Sequence, residues 1–311
     1  MEPLLAFGFW AYVLTLAGIY AVFVLGLQVE VGDTGLLNFG HVGFMAMGAY
    51  SMGLMVTHGV PMLVAIVLAV ALASLFGVLV GIPTLRLRGD YFAIVTIAAG
   101  EILRILVQNQ QGLTGGTLGL RRASGEWRSW NRGILTWHEG LGITLDRSVP
   151  LLVLVWLVAL GVAAVLIVVG RSPWRRALRA VRENEDAAAA AGKPVFQLKL
   201  QSLALGSAIA GLAGVLFTLL QTSLYPENFE PIVTFIGFAI LILGGIGSYF
   251  GVVVASIIIS FIIAGARFLE FPIAADKVAA LRFIIIGLII MALMAFRPQG
   301  LFGKREELHL D

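Results

Sequence analysis

The chain of 311 residues contains no cysteine. Disulfide staples, thiol nucleophiles and cysteine-held metals are therefore excluded. Charge is scarce too: Asp, Glu, Lys and Arg make up 13% of the chain, against roughly 25% in a soluble domain. The four histidines, His41, His58, His138 and His309, lie far apart in sequence and suggest no metal site. No HExxH, GxSxG or Walker A pattern occurs, so neither hydrolysis nor nucleotide binding has a motif behind it. No catalytic residue, metal or cofactor is expected.

Apolar residues fill the space that charge leaves, at 59% of the chain. Several runs approach or exceed the roughly 20 residues that cross a bilayer, and none alternates in the manner of a barrel strand. The chain reads as an all-α integral membrane protein with one transmembrane domain over 1–311. A helical bundle of about 8–10 membrane segments is expected. Its net charge of +3 does not point to nucleic acid, because the arginines gather between apolar runs. The first run, 8–27, has no basic residue before it and no small-residue cleavage site after it. It is expected to be a retained helix rather than a signal peptide.

Polar residues inside the apolar runs are the candidates for function. The stretch 28–56 holds Asp33, Asn38 and His41 among many glycines. A broken helix lining a wet cavity and close helix packing at Gly40, Gly43 and Gly48 both fit, and the two are compatible. After a span over 61–82, the next span, 90–110, carries Glu101 and Arg104 on one face. Glu101 lies about 16 Å along from Asp90, near mid-membrane. Two readings fit: a self-neutralising pair that locks helices, or groups on a translocation pathway. Asn38, His41, Glu101, Arg104 and Asn109 are the candidate pathway residues.

Two polar loops stand out. The stretch 112–149 opens with GLTGGTLGL and carries Trp127, Trp130 and Trp137, as at a membrane interface. It is read as external, although Arg121, Arg122, Arg128, Arg132 and Arg147 make it basic for that side. The stretch 171–199 carries the marks of a single helix: Ser172 as cap, Pro173 at the first position, Gly192 as stop and Pro194 beyond. Trp174, Leu178 and Val181 make an apolar stripe beside Arg171, Arg175, Arg179 and Arg182. Glu183, Glu185 and Asp186 crowd its second half. It is either a solvated loop that fixes topology or a docking helix offering an apolar ridge to a partner's groove.

Further apolar segments are 150–170, 200–220, 232–243, 251–266 and 280–296. Placing 171–199 in the cytoplasm also places Arg86, Arg88 and the tail with Arg297, Lys304 and Arg305 there. The acidic stretch 221–231, with Glu227 and Glu230 and no basic residue, then lies outside. Transport energy has to come from a gradient or a separate ATPase. Few ionisable residues lie within spans and a charged loop helix is present, which favours the ATPase.

Four blocks carry a resemblance that runs over most of the chain. They are GDTGLLNFGHVGFMAMGAY, GDYFAIVTIAAGEILR with LTGGTLGL, RSPWRRALRAVRENEDAAAAAGKPVFQLKLQSLALGSAIAGLAGVLF, and ILILGGIGSYFGVVVAS. They resemble the permease subunit of branched-chain amino acid ABC importers, the M-type of the H/M permease pair. The resemblance implies a cytoplasmic coupling helix docked on a nucleotide-binding subunit, with Trp174, Arg175, Leu178, Arg179, Arg182, Glu183, Asn184 and Glu185 on the coupling segment. It further implies two ABC ATPase subunits, a related second permease, a periplasmic or lipid-anchored amino acid-binding protein, and a place in the bacterial cytoplasmic membrane. Asn38 departs from the family's usual serine. Urea and short-amide importers share the fold and stand as the alternative substrate class. An ion-coupled secondary transporter and a membrane enzyme are the alternatives from other classes.

Overall fold

The computed structural model describes residues 7–87, 89–142 and 144–265, with a few positions between 284 and 302. Most of the expected final span at 280–296, most of the C-terminal tail, and His309 lie outside the described residues. Among the described residues the regular structure is helical, apart from one two-stranded ribbon. Its first half runs α1 (Phe7–Leu27), a π-helical turn (Gln28–Asp33), α2 (His41–Thr57), α3 (Met62–Thr84), α4 (Gly89–Asn109) and the single turn α5 (Gln111–Thr114). Strand β1 (Leu120–Arg121), α6 (Gly125–Gly140) and α7 (Val149–Val169) follow. The second half contains α8 (Pro173–Glu183), α9 (Glu185–Ala190), α10 (Val195–Leu220), β2 (Ser223–Leu224), α11 (Ile232–Gly244) and α12 (Tyr249–Gly265).

Among the described residues, five helical segments are long and apolar enough to cross a membrane, beginning at Phe7, Met62, Val149, Val195 and Pro226. Helices α2, α4 and α12 are shorter or more polar and complete the bundle. The broken helix expected at 28–56 is present. The π-helical turn ends α1, residues 35–40 are non-helical, and α2 restarts at His41.

Burial separates the helices into an interior and a rim. Helices α1 and α10 are buried along most of their length. Helix α3 buries one stripe of small residues at a spacing of four, Ala65, Ala69, Ala73, Gly77 and Gly81. Helix α7 does the same with Leu151, Val155, Ala159 and Ala163. The remaining faces of α3 and α7 present Leu, Val and Ile outward, as lipid contact requires.

Helices α2 and α10 cross so closely that glycine is obligatory there. A Cβ on Gly48 would lie 2.2 Å from the Gly211 carbonyl oxygen, and one on Gly214 would lie 2.0 Å from the Met45 carbonyl oxygen. Backbone cannot yield as a side-chain tip can. Gly48→Ala is expected to destabilise by about 1–3 kcal/mol, as overpacking does, and to lower the unfolding temperature in detergent. An unchanged temperature would show that the helices separate freely.

The ribbon pairs Leu120 with Leu224 and Arg121 with Ser223 in antiparallel register. It ties the loop after α4 to the segment after α10. One end of the molecule thus gathers 111–141 and 223–230. The other end gathers 34–37, 85–87 and the α8–α9 loop, which together line one open pocket.

Candidate functional site

The α8–α9 loop begins as its sequence dictates. Ser172 has extended backbone and its Oγ accepts from the Arg175 N–H, with Pro173 at the first helical position. Gly192 ends the segment at φ +75°. The single helix expected over this stretch is corrected to two. Asn184 takes an extended conformation (φ −156°, ψ 108°), which stops α8, and its side-chain oxygen accepts from the Ala187 N–H to start α9. Glu185 and Asp186 then occupy the first turn of α9, where the helix dipole favours anions.

The apolar stripe is corrected as well. It does not face outward toward a partner's groove. Leu178 and Val181 are buried and pack with Ala188 and Leu198 of this same chain. The Trp174 indole N–H donates to Gln201 Oε1 at 2.8 Å, which fastens α8 to α10.

Of the cationic strip, Arg171 stays exposed, whereas Arg175 and Arg182 turn inward. Arg175 Nε donates to Asp33 Oδ1 at 2.7 Å, and its guanidinium carbon lies 4.8 Å from the centre of the Tyr249 ring. The Tyr249 hydroxyl donates to Asp33 Oδ2 at 3.0 Å. Arg179 Nε stands 3.9 Å from Asp33 Oδ1, and Arg182 Nη1 donates to the Gly32 carbonyl at 2.5 Å. Asp33, at 2% exposure, is thus the seat of the loop and joins α8 to α12 through the π-helical turn. Lys199 at the start of α10 pairs with Glu185. The loop leaves exposed Arg171 and Arg176 near its start, Glu183, Asn184, Glu185 and Asp186 at its tip, Lys193 at its end, and the α9 alanines other than Ala188.

Behind Asp33 lies a second buried cluster. Glu30 is fully buried, and its Oε2 accepts from Asn38 Nδ2 at 2.8 Å. His41 Nδ1 lies 3.2 Å from the same oxygen, an ion-pair approach too oblique for a hydrogen bond. Asn38 Oδ1 accepts from the Gly40 N–H, and His41 Nε2 contacts the Phe23 carbonyl oxygen at 3.1 Å. Asn38 and His41 are both fully buried. Both close the gap between the π-helical turn and α2. Thr34 Oγ1 donates to Ser202 Oγ at 2.6 Å, and Ser202 Oγ donates to the Val29 carbonyl at 3.0 Å, which ties the same gap to α10.

Glu101 and Arg104 stand apart from both clusters, on α4. Arg104 Nε lies 3.0 Å from each Glu101 carboxylate oxygen, and Nη1 donates to Gln108 Oε1 at 3.3 Å. Side-chain exposure is 32% for Glu101 and 17% for Arg104. The pair therefore lies on a face that the rest of the chain leaves open. Asn109, at the end of the helix, is exposed and donates to the Ile105 carbonyl. Of the expected interfacial tryptophans, Trp127 is buried, whereas Trp130 and Trp137 are exposed.

Glu30 is not among the residues singled out from the sequence, and Asp33 is named there only as one polar residue of the stretch 28–56. Both had a signal: an ionisable residue adjoining an apolar run is a functional candidate by default. Among the described residues, no cluster of His, Cys, Asp and Glu has the makings of a metal site.

The family model described as "Branched-chain amino acid transport system / permease component" matches residues 9–294. The chain is 35% identical over 299 residues to the high-affinity branched-chain amino acid transport system permease protein LivM of Escherichia coli (strain K12), covering 92% of this chain and 68% of that one. It is 26% identical over 334 residues to the probable LivM permease of Methanocaldococcus jannaschii, covering 93% and 91%. The LivH permease of Escherichia coli (strain K12) is similar at 24% over 310 residues, covering 94% of each chain. No solved structure matches the chain significantly.

Proposed function

Because the chain belongs to the branched-chain amino acid transport system permease family, and is a multi-pass membrane transport component rather than an enzyme, we propose that it forms one half of the membrane channel of an ATP-driven importer. The cargo is a branched-chain or related hydrophobic amino acid. The observation that carries the reading is the α8–α9 loop: Arg175 and Arg182 are spent on the chain's own Asp33 and Gly32, while Glu183, Asn184, Glu185 and Asp186 stay exposed at its tip. A loop held rigidly from inside and acidic at its tip suits docking on a separate ATPase subunit.

The tip faces the cytoplasm in this reading, and the ribbon end faces the outside, where a binding protein delivers substrate. The complete assembly has two ATPase subunits and a second permease. One organism, Escherichia coli K12, has two permeases that both resemble this chain, at 35% and 24% identity. A related partner rather than a copy therefore supplies the opposite wall. The membrane is the bacterial cytoplasmic membrane. Helix α4, with Glu101, Arg104 and Asn109, lies on the wall of the pathway.

A pull-down of the tagged chain from native membranes in mild detergent tests the assembly. ATPase subunits and a second permease are expected among the bound proteins. Reversing the tip with Glu183→Lys and Glu185→Lys is expected to lose the ATPases and keep the second permease. Recovery of the chain alone, with uptake in ATP-free liposomes, would overturn the proposal.

A further inference from the structure

The Glu101–Arg104 pair poses a problem that packing does not answer. A charge at mid-membrane costs a few kcal/mol unless it is paired or wetted, and such residues face a bundle interior or a water-filled path. Yet this pair sits on a face shared with Ile94, Ala98 and Ile105, all exposed in the chain. Gln108 continues the same face and holds one arm of the guanidinium. The turn at 226–229, which carries Glu227, packs beside α4 at the ribbon end of the molecule.

The cargo has the same problem. An amino acid in its zwitterionic form carries an ammonium and a carboxylate one carbon apart, and moving either bare charge through a low-dielectric path is prohibitive. A wall that accepts it has to offer one charge of each sign at the same depth. Glu101 and Arg104, three residues apart on one face, do so. Their mutual ion pair satisfies both groups when no cargo is present.

We infer that Glu101 and Arg104 are a relay for the zwitterion. As cargo passes, the Arg104 guanidinium takes the α-carboxylate, two N–H groups to two oxygens, and the Glu101 carboxylate takes the α-ammonium. One ion pair becomes two and the net charge of the site stays at zero, so cargo is neither repelled nor trapped. The neighbouring Ile102 and Ile105, both exposed, offer an aliphatic wall to a branched side chain. This inference rests on the reading of α4 as a pathway wall, and the test separates the two.

The chain has no cysteine, so in an Ile105→Cys variant the new thiol is the one labelled when this chain is resolved from its partners. In the assembled importer, a membrane-impermeant thiol reagent is expected to label it. Absence of labelling would overturn the pathway reading and the relay with it. Leucine at millimolar concentration is expected to slow labelling, whereas isoamylamine and 4-methylpentanoate, with one charge each, are not. Equal protection by all three would overturn the relay and leave the wall standing.

The double variant Glu101→Gln with Arg104→Gln then separates a relay from a lock. It removes both charges and strands neither, so a mere lock tolerates it. The relay predicts a fall in leucine uptake of about 10- to 100-fold, the rate equivalent of a charge left unpaired in the membrane. Assembly and ATP hydrolysis are expected to persist. Uptake at the wild-type rate would overturn the relay.

Discussion

Asp33→Ala is expected to abolish uptake and to release the α8–α9 loop while the membrane bundle stays folded. The expectation follows from what Asp33 satisfies. Its two oxygens accept from Arg175 and from the Tyr249 hydroxyl, and Arg179 stands beside them. Alanine leaves the Arg175 guanidinium, whose side chain is 13% exposed, without a carboxylate. Breaking a buried pair from one side costs about 3–5 kcal/mol, because the partner's charge stays behind. The small exposure of Arg175 lets water relieve part of this, so the lower end applies.

The loss falls on one joint rather than on the whole fold. Leu178 and Val181 still pack on Ala188 and Leu198, so α8 and α9 keep their own small core. What goes is the tie between that core, the π-helical turn and α12. Trypsin should then cut within 171–199 at least tenfold faster, and ATP hydrolysis should continue without uptake. Asp33→Asn keeps an acceptor for Tyr249 and sheds the charge, so it should fall between wild type and alanine. A double-mutant cycle with Arg175→Gln should show a coupling of about 1–3 kcal/mol. Independent, additive effects would refute the joint.

The same residues mark how far the sequence carries. The helix start at Ser172 and Pro173 and the stop at Gly192 are local, set by one side-chain oxygen and one positive φ, and both were legible. The break at Asn184 is equally local. Asn followed by Glu, Asp and a run of alanines is a helix start, and the continuous helix-forming composition around it concealed the signal. The direction in which α8 faces was not legible. Arg175, Arg179 and Arg182 share a face by spacing alone, but whether that face meets a partner or Asp33 depends on a residue 142 positions away. The spans were legible because lipid imposes one rule on all of them. The α4 pair was visible as a pair, while its openness depends on how the other helices pack.

The second large effect is expected at Glu30, for a different reason. Asp33 joins two parts of the molecule, whereas Glu30 fills a fully buried site in which every neighbour relies on it. The His41 Nε2 contact with the Phe23 carbonyl requires the hydrogen on Nε2, since a carbonyl only accepts. His41 Nδ1 and Asn38 Nδ2 are then directed at one Glu30 oxygen. The other oxygen lies where a Cβ on Gly206 would come within 2.3 Å, so α10 leaves room for this carboxylate by carrying glycine. Glu30→Ala removes the acceptor, opens a cavity and strands the Asn38 amide without water to replace it. A cost of about 3–5 kcal/mol is expected, lowering the unfolding temperature by about 5–10 °C. Glu30→Gln keeps the volume and offers Asn38 an oxygen, so its loss should stay below about 1.5 kcal/mol. Because Glu30 and Asp33 occupy the same π-helical turn, the loss at Glu30 should also loosen the loop, and the two alanine variants together should cost less than their sum. Tryptophan fluorescence during thermal unfolding in detergent reads both effects. A Glu30→Ala protein that unfolds with the wild type would mean that water already reaches this cluster, and that the closure between the π-helical turn and α2 does not depend on it.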